Sequence, residues 1–151
     1  VAIDLRFIVV VLKVNNDLER IGDLAENLTA RAVYLAEREP MPEPMAIING
    51  MFVTIRSMLK DSLDSLVKLD VDLARKVIEQ DDGVDQINRQ MYDDFRQMMA
   101  RDASMIEQAT SWLSCSRYLE RIADLATNIS EDVVFMVEGE VVRHQTQETS
   151  L

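Results

Sequence analysis

Two short acidic motifs, one near each end of the chain, contain the side chains that could do chemistry. The first reads DLERIGDLAENL from residue 17, and the second reads YLERIADLATNI from residue 118. Each copy places a glutamate and an aspartate four residues apart: Glu19 with Asp23, and Glu120 with Asp124. Residues at this spacing stack on one side of an α-helix, so each motif predicts two neighbouring carboxylates. A repeat of this length is typical of a duplicated small helical bundle.

A third acidic pair, Asp81 and Asp85, has the same spacing within EQDDGVD. If the chain reverses direction near residue 102, the helices on either side are antiparallel, and residues equally far from the turn lie at one height. Asp81 is then level with Asp124, and Asp85 is level with Glu120. The pattern predicts that four carboxylates converge on one patch.

Four carboxylates this close repel one another, so they are expected either to hold protons or to collect cations. Ligands that are all oxygens suit hard ions such as magnesium, manganese, calcium or iron. We therefore expect a multinuclear metal cluster. The predicted metal ligands are Glu19, Asp23, Asp81, Asp85, Glu120 and Asp124, with Asn27, Asp82 and Asn128 as possible additional ligands.

The elements that would position these acids are long helices. Apolar residues in the first part of the chain alternate in steps of three and four, which is typical of the inner stripe of a bundle helix. That stripe is Phe7, Val11, Val14, Leu18, Ile21, Ala25, Leu28, Ala32 and Leu35. Similar patterns predict three further helices, at about 46–69, 72–100 and 103–138. Asp70 or Asp72 should cap the third helix, and Gly139 should end the fourth.

The expected fold is all-α, an antiparallel three-helix bundle of the spectrin-like kind preceded by one long helix from a preceding bundle. The predicted division is 1–38 for that helix, 39–45 for a proline-rich linker, 46–139 for the complete bundle and 140–151 for a polar tail. The first helix matches the fourth through the repeat, so we interpret the chain as a fragment whose complete protein carries further N-terminal residues. The bundle or another copy of the chain is expected to cover the exposed stripe of the first helix.

Composition narrows the classes of partner. The chain has 151 residues, is 48% hydrophobic and carries a net charge of −11, which argues against attachment to nucleic acid or to anionic lipid. Its single cysteine cannot form an intramolecular disulfide and fits a reducing compartment. The longest apolar run, FIVVVL, is too short to cross a bilayer, so no transmembrane segment is expected.

The segments LERIGDLAEN, LERIADLATN, LARKVIEQDDGVD and VEGEVVRH resemble the PhoU family of phosphate-uptake regulators. The resemblance covers nearly the whole chain, from the last helix of that family's first bundle through its second bundle. It implies tandem three-helix bundles with multinuclear metal clusters on their surfaces. The family's E(D)xxxD metal motif falls on Glu19 with Asp23 and on Glu120 with Asp124, while Asp81 and Asp85 match the family's acidic pair on the preceding helix. The departures are Ala123 at the position of Gly22 in the other copy and the absent N-terminal helices.

The resemblance also implies a role and partners. PhoU-like proteins restrain phosphate-starvation signalling by contacting a sensor histidine kinase and the ATPase of the phosphate ABC transporter. The family frequently forms homodimers, and the implied location is cytoplasmic, peripheral to the inner membrane through those partners. This chain is therefore expected to be a metal-binding negative regulator of phosphate uptake that acts by protein–protein contact.

Two other classes compete with this interpretation. A carboxylate-bridged di-metal enzyme of the four-helix class needs a Glu-x-x-His pair on each of two helices. The only histidine, His144, lies in the polar tail, and the sequence has no glycine-rich phosphate loop, so we predict no enzymatic activity. A structural helical-bundle adaptor without metal also fits, since charges normally occupy the outer face of a bundle and Arg20 can form weak surface ion pairs there. Metal content would discriminate between these alternatives.

Overall fold

The computed structural model describes residues 2–139, which form four long α-helices and one 3-10 turn. The helices are α1 (Ala2–Ala36), α2 (Pro42–Lys68), α3 (Val71–Arg101) and α4 (Ile106–Glu138), and the 3-10 turn is Ala103–Met105. The described residues contain no strand, which confirms the predicted all-α class. None of the helices in this part of the chain is long and apolar enough to cross a membrane. The predicted polar tail at 140–151, with His144, lies outside the described residues.

Helix α2 begins earlier than the sequence predicted. The expected start was residue 46, but the helix begins at Pro42 and includes Pro44 in its first turn. Proline is favourable there because its fixed φ suits a helix and the first amides of a helix have no partner to lose. The predicted linker from 39 to 45 is therefore shorter than expected.

Two of the predicted caps are confirmed. The Asp70 side chain accepts a hydrogen bond from the Leu73 amide at 3.0 Å and so begins α3. Gly139 ends α4 in the left-handed region, with φ of 76°. The turn from α2 into α3 is less regular, because Leu69 adopts a positive φ of 54°.

Helix α4 lies at the centre of the molecule and packs against α1, α2 and α3. Its length is therefore buried on several sides, and its buried residues include Leu119, Ala126, Ile129 and Val133. Helices α2 and α3 also pack against each other, so α2, α3 and α4 form the predicted bundle and α1 covers the remaining side of α4. The division of the chain into parts of two successive bundles stays a prediction.

Helix α1 lies antiparallel to α4 and contacts it through a different stripe from the one predicted. Its buried apolar residues are Val10, Val14 and Ile21, whereas Phe7, Val11 and Leu18 are 54%, 45% and 40% exposed. Ala25 and Ala32 of the predicted stripe are exposed as well. The prediction was wrong at these five positions because α1 is apolar on more than one side, and a single packing partner buries only one narrow stripe.

Candidate metal site

Helices α3 and α4 bring three of the predicted acids together. Asp81, Asp85 and Asp124 each offer a carboxylate oxygen, and these oxygens all lie within 4.8 Å of one another. Asp81 is only 3% exposed, and the other two are half-buried. The cluster therefore lies at the seam between the helices, with its innermost carboxylate shielded from water.

The tight turn between α3 and α4 explains why these acids are level. Asp102 follows α3 directly, and its Oδ1 accepts hydrogen bonds from the Ser104 amide at 2.9 Å and the Ser104 hydroxyl at 2.7 Å. These bonds begin the 3-10 turn, so the chain reverses within a few residues. Asp81 and Asp124 are then at the same height, as the sequence predicted.

Glu120 lies one helical turn before Asp124, and it is the fourth predicted member of this patch. Burial raises its pKa, and the charges of Asp85 and, more weakly, Asp81 raise it further. The nearby guanidinium groups of Arg117 and Arg121 oppose this rise. Glu120 therefore shares an electrostatic environment with the cluster, although its oxygens do not belong to the set within 4.8 Å.

The remaining predicted ligands lie outside the three-carboxylate cluster. The side chains of Glu19, Asp23, Asn27, Asp82 and Asn128 are all exposed. Asp23 and Asn128 do line a groove of about 460 Å³ between α1 and α4. Among the described residues, no group of three or more acids with neighbouring oxygens includes a residue of the first motif.

The two copies of the motif face each other across this groove between α1 and α4. Its lining consists of Arg20, Asp23, Leu24, Arg121, Asp124, Leu125 and Asn128. Arg20, Asp23 and Leu24 of the first copy thus meet their own equivalents from the second copy. Since α1 and α4 are antiparallel, an approximate twofold axis relates the two motif copies. This axis passes close to Asp23 and Asp124.

One buried charged group was not predicted from the sequence. Asp17 and Asp132 are 7% and 4% exposed at the contact between α1 and α4, where the Lys13 ammonium donates a hydrogen bond to Asp132. Burial raises the pKa of Asp17, and the charge of Asp132 adds to this rise, while Arg20 and Lys13 oppose it. Asp17 continues the buried stripe of Val10 and Val14 at helical spacing, but the sequence alone did not identify that stripe as the buried one.

The donor set of the three-carboxylate cluster fits a hard cation. All three groups are carboxylates, and no nitrogen or sulfur ligand belongs to the set. Magnesium, manganese, calcium and iron are the ions that prefer such oxygen ligands. Repulsion among the three acids would also be relieved by a bound cation.

The chain is similar to one known protein family over most of its length. The family model described as the PhoU domain matches residues 1–32 and 48–133. A relative from Aquifex aeolicus, described as a phosphate-specific transport system accessory protein PhoU homolog, is 41% identical over 94% of this chain and 64% of its own length. The Escherichia coli accessory protein PhoU is 32% identical over 95% of this chain and 59% of its own length. The chain thus spans about three fifths of the length of these relatives.

Two solved structures share the fold. The crystal structure of PhoU from Pseudomonas aeruginosa superposes with a TM-score of 0.88 at 33% sequence identity, covering 93% of this chain and 67% of that one. The phosphate transport system regulatory protein PhoU from Streptococcus pneumoniae gives a TM-score of 0.78 at 27% identity, covering 93% and 66%.

Proposed function

This chain belongs to the PhoU family, and we propose from that premise that it is a negative regulator of phosphate uptake and phosphate-starvation signalling. Its relatives are described as phosphate-specific transport system accessory proteins, which supports a role beside a phosphate transporter. The family is one of regulatory accessory proteins, and we propose a non-enzymatic role for this chain.

The proposed role includes a metal cluster. The observation that carries it is the convergence of Asp81, Asp85 and Asp124, whose carboxylate oxygens lie within 4.8 Å of one another. Glu120 would complete this site, with Asp82 and Asn128 as outer ligands. Glu19, Asp23 and Asn27 would form part of an equivalent site on α1. A bound hard cation, such as iron, manganese or magnesium, would neutralise the acids and tie α3 to α4.

The proposed mechanism is regulation by contact. The partners would be a sensor histidine kinase and the ATPase of a phosphate ABC transporter, and the regulator would act as a homodimer in the cytoplasm, held at the inner membrane by those partners. The protein would change the activity of each partner by binding one of its conformations more tightly than the other.

Metal content of paired variants tests the site. Asp85→Asn with Asp124→Asn removes two charges from the cluster while keeping the size of both side chains. Glu79→Gln with Asp94→Asn removes the same number of charges from exposed positions on α3. After reconstitution with magnesium, manganese or iron and gel filtration, elemental analysis should find metal in the parent and in the Glu79/Asp94 control but not in the Asp85/Asp124 variant.

Circular dichroism of the same samples keeps the result interpretable. We expect equal helix content in all three proteins, because none of these substitutions removes an apolar core residue. A parent protein that retains no metal under any of these conditions would contradict the proposed cluster. Equal metal content in the parent and the Asp85/Asp124 variant would show that the metal is bound elsewhere.

A further inference from the structure

An open groove of about 720 Å³ runs between α3 and α4 directly beside the acidic cluster. Its lining is Asn88, Arg89, Tyr92, Asp93, Thr110, Leu113, Ser114, Arg117, Glu120, Arg121 and Asp124. Asp124 belongs both to this lining and to the three-carboxylate cluster, so the groove and the cluster share a wall. Three arginines line this one groove in a chain whose net charge is −11.

The three arginines that line the groove come from both helices. Arg89 lies one turn after Asp85 on α3, and Arg117 and Arg121 lie one turn apart on α4. All three side chains are exposed. Arg89 is partly held by its Nε, which donates a hydrogen bond to the Asp85 carbonyl at 3.3 Å. Within the described residues, none of the three guanidinium groups makes an ion pair shorter than 4.0 Å.

A polar contact across the two helices fixes the neighbouring wall of the groove. The Ser116 hydroxyl on α4 donates a 2.6 Å hydrogen bond to Oδ1 of Asn88 on α3. Asn88 is thereby held between the helices at the level of Arg89 and Arg117. The positive side chains thus extend from a wall whose position is set by packing and by this hydrogen bond.

The charge of the groove depends on whether the cluster holds a cation. Without one, Asp93, Glu120 and Asp124 balance the three arginines, and Asp81 and Asp85 add negative charge beside them. A divalent ion on the cluster cancels that excess and leaves the guanidinium groups facing the groove. Guanidinium donors match the oxygens of a phosphate group, and carboxylate-bound magnesium commonly completes its coordination with phosphate oxygens.

We infer that this groove binds a phosphate group, as free phosphate or as a phosphomonoester, and that it does so only when the adjacent cluster holds a metal ion. Arg89, Arg117 and Arg121 are the binding residues for the anion, and Asp124 links the two sites. Binding of cation and anion is then reciprocal, because each neutralises charge that opposes the other. This inference rests on the metal cluster of the proposed function.

Equilibrium dialysis with radiolabelled inorganic phosphate tests the inference at low ionic strength. The parent protein is compared after chelator treatment and after loading with magnesium or manganese. The variant Arg117→Gln with Arg121→Gln should bind phosphate at least about tenfold more weakly than the metal-loaded parent, since charged hydrogen bonds of this kind contribute more than 1.4 kcal/mol each. The control, Arg56→Gln with Arg96→Gln, removes two exposed charges that lie outside the groove and should bind phosphate like the parent.

Metal content is measured in the same samples so that the two proposals can fail separately. A parent that binds metal but binds phosphate equally well with and without it would overturn the inference and leave the metal site standing. An equal loss of phosphate binding in the groove variant and in its control would overturn it as well. A parent that binds no metal would contradict the proposed metal cluster, and this inference with it. Competition by phenyl phosphate as strong as by unlabelled phosphate would identify a phosphomonoester as an accepted ligand, whereas competition by phosphate alone would identify the free ion.

Discussion

Cys115 shows how strongly the packing around α4 modifies a single side chain. The residue is 2% exposed, and burial raises the pKa of its thiol to about 11 from an ordinary value of 9.0, with Arg31 opposing the rise. It lies on the inner face of α4, among the buried residues of that helix. A thiol in this state is a small apolar side chain and a poor nucleophile.

We expect this thiol to react slowly. At pH 8, alkylation by iodoacetamide should be at least about 100-fold slower in the folded protein than in guanidinium chloride, because a rise of two pKa units lowers the thiolate fraction by that factor. Mass spectrometry gives the rate directly, since Cys115 is the only cysteine. Labelling at comparable rates in both states would contradict the packing described here.

Individual residues of the candidate site differed in how well the sequence predicted them. The convergence of Asp81, Asp85 and Asp124 followed from helical spacing and one short turn, both of which are local properties. The burial of Asp17 did not, because an aspartate on a helix surface and one beneath a neighbouring helix have the same sequence pattern. Only the position of α4 distinguishes the two, and that position is a tertiary property.

Among the helices, the turn between α2 and α3 contains a strained residue. Leu69 has a φ of 54°, its side chain is 53% exposed, and its amide closes α2 by donating to the Ser65 carbonyl. A residue with a Cβ is disfavoured in this left-handed conformation, where glycine is not.

Replacing Leu69 with glycine should therefore stabilise the protein. We expect Leu69→Gly to raise the free energy of unfolding by about 0.5–1 kcal/mol, measured by urea denaturation. Leu69→Ala is the matched control, because it also removes the exposed side chain but keeps the Cβ. If both variants had the same stability, strain at this residue would be negligible.

The helix boundaries show where sequence patterns stop being informative. The start of α2 was placed too late because prolines usually interrupt a helix, yet Pro42 and Pro44 lie in its first turn, where they are tolerated. The stripe of α1 was placed on Val11 instead of Val10 because both neighbours are apolar. Periodicity alone does not identify the buried side of a helix that is apolar on several sides.

In the whole molecule, the Asp17 carboxyl group at the contact between α1 and α4 makes the free energy of unfolding depend on pH. Burial and the neighbouring Asp132 raise the pKa of Asp17 above its ordinary value of 3.8. Between that value and the raised pKa, the folded state retains a proton that the unfolded state has released. The contribution of Asp17 to stability therefore falls as the pH rises through this window.

The variant Asp17→Asn replaces the titrating carboxyl group with a neutral amide and so tests this dependence on pH. We expect it to be more stable than the parent at pH 7, by an amount on the order of 1 kcal/mol, and to lose less stability between pH 4 and pH 7. Urea denaturation across that range measures both quantities. Asp23→Asn, which lies on the exposed side of the same helix, should show neither change. A less stable Asp17→Asn protein at pH 7 would mean that the ionised carboxylate is stabilised by Lys13 and Arg20 more than burial destabilises it.

The approximate twofold axis between the two motif copies has an evolutionary consequence. Two identical helices that pack antiparallel across such an axis form the contact found in symmetric dimers, where each residue near the axis meets its own copy. Duplication and fusion of a gene for such a chain would place both partners in one polypeptide and preserve the contact. Once fused, the two copies would be free to diverge, and Gly22 and Ala123 are one position at which the two motifs differ. The acids of the two copies can then take different functions, while the contact between α1 and α4 still holds the two motifs beside each other.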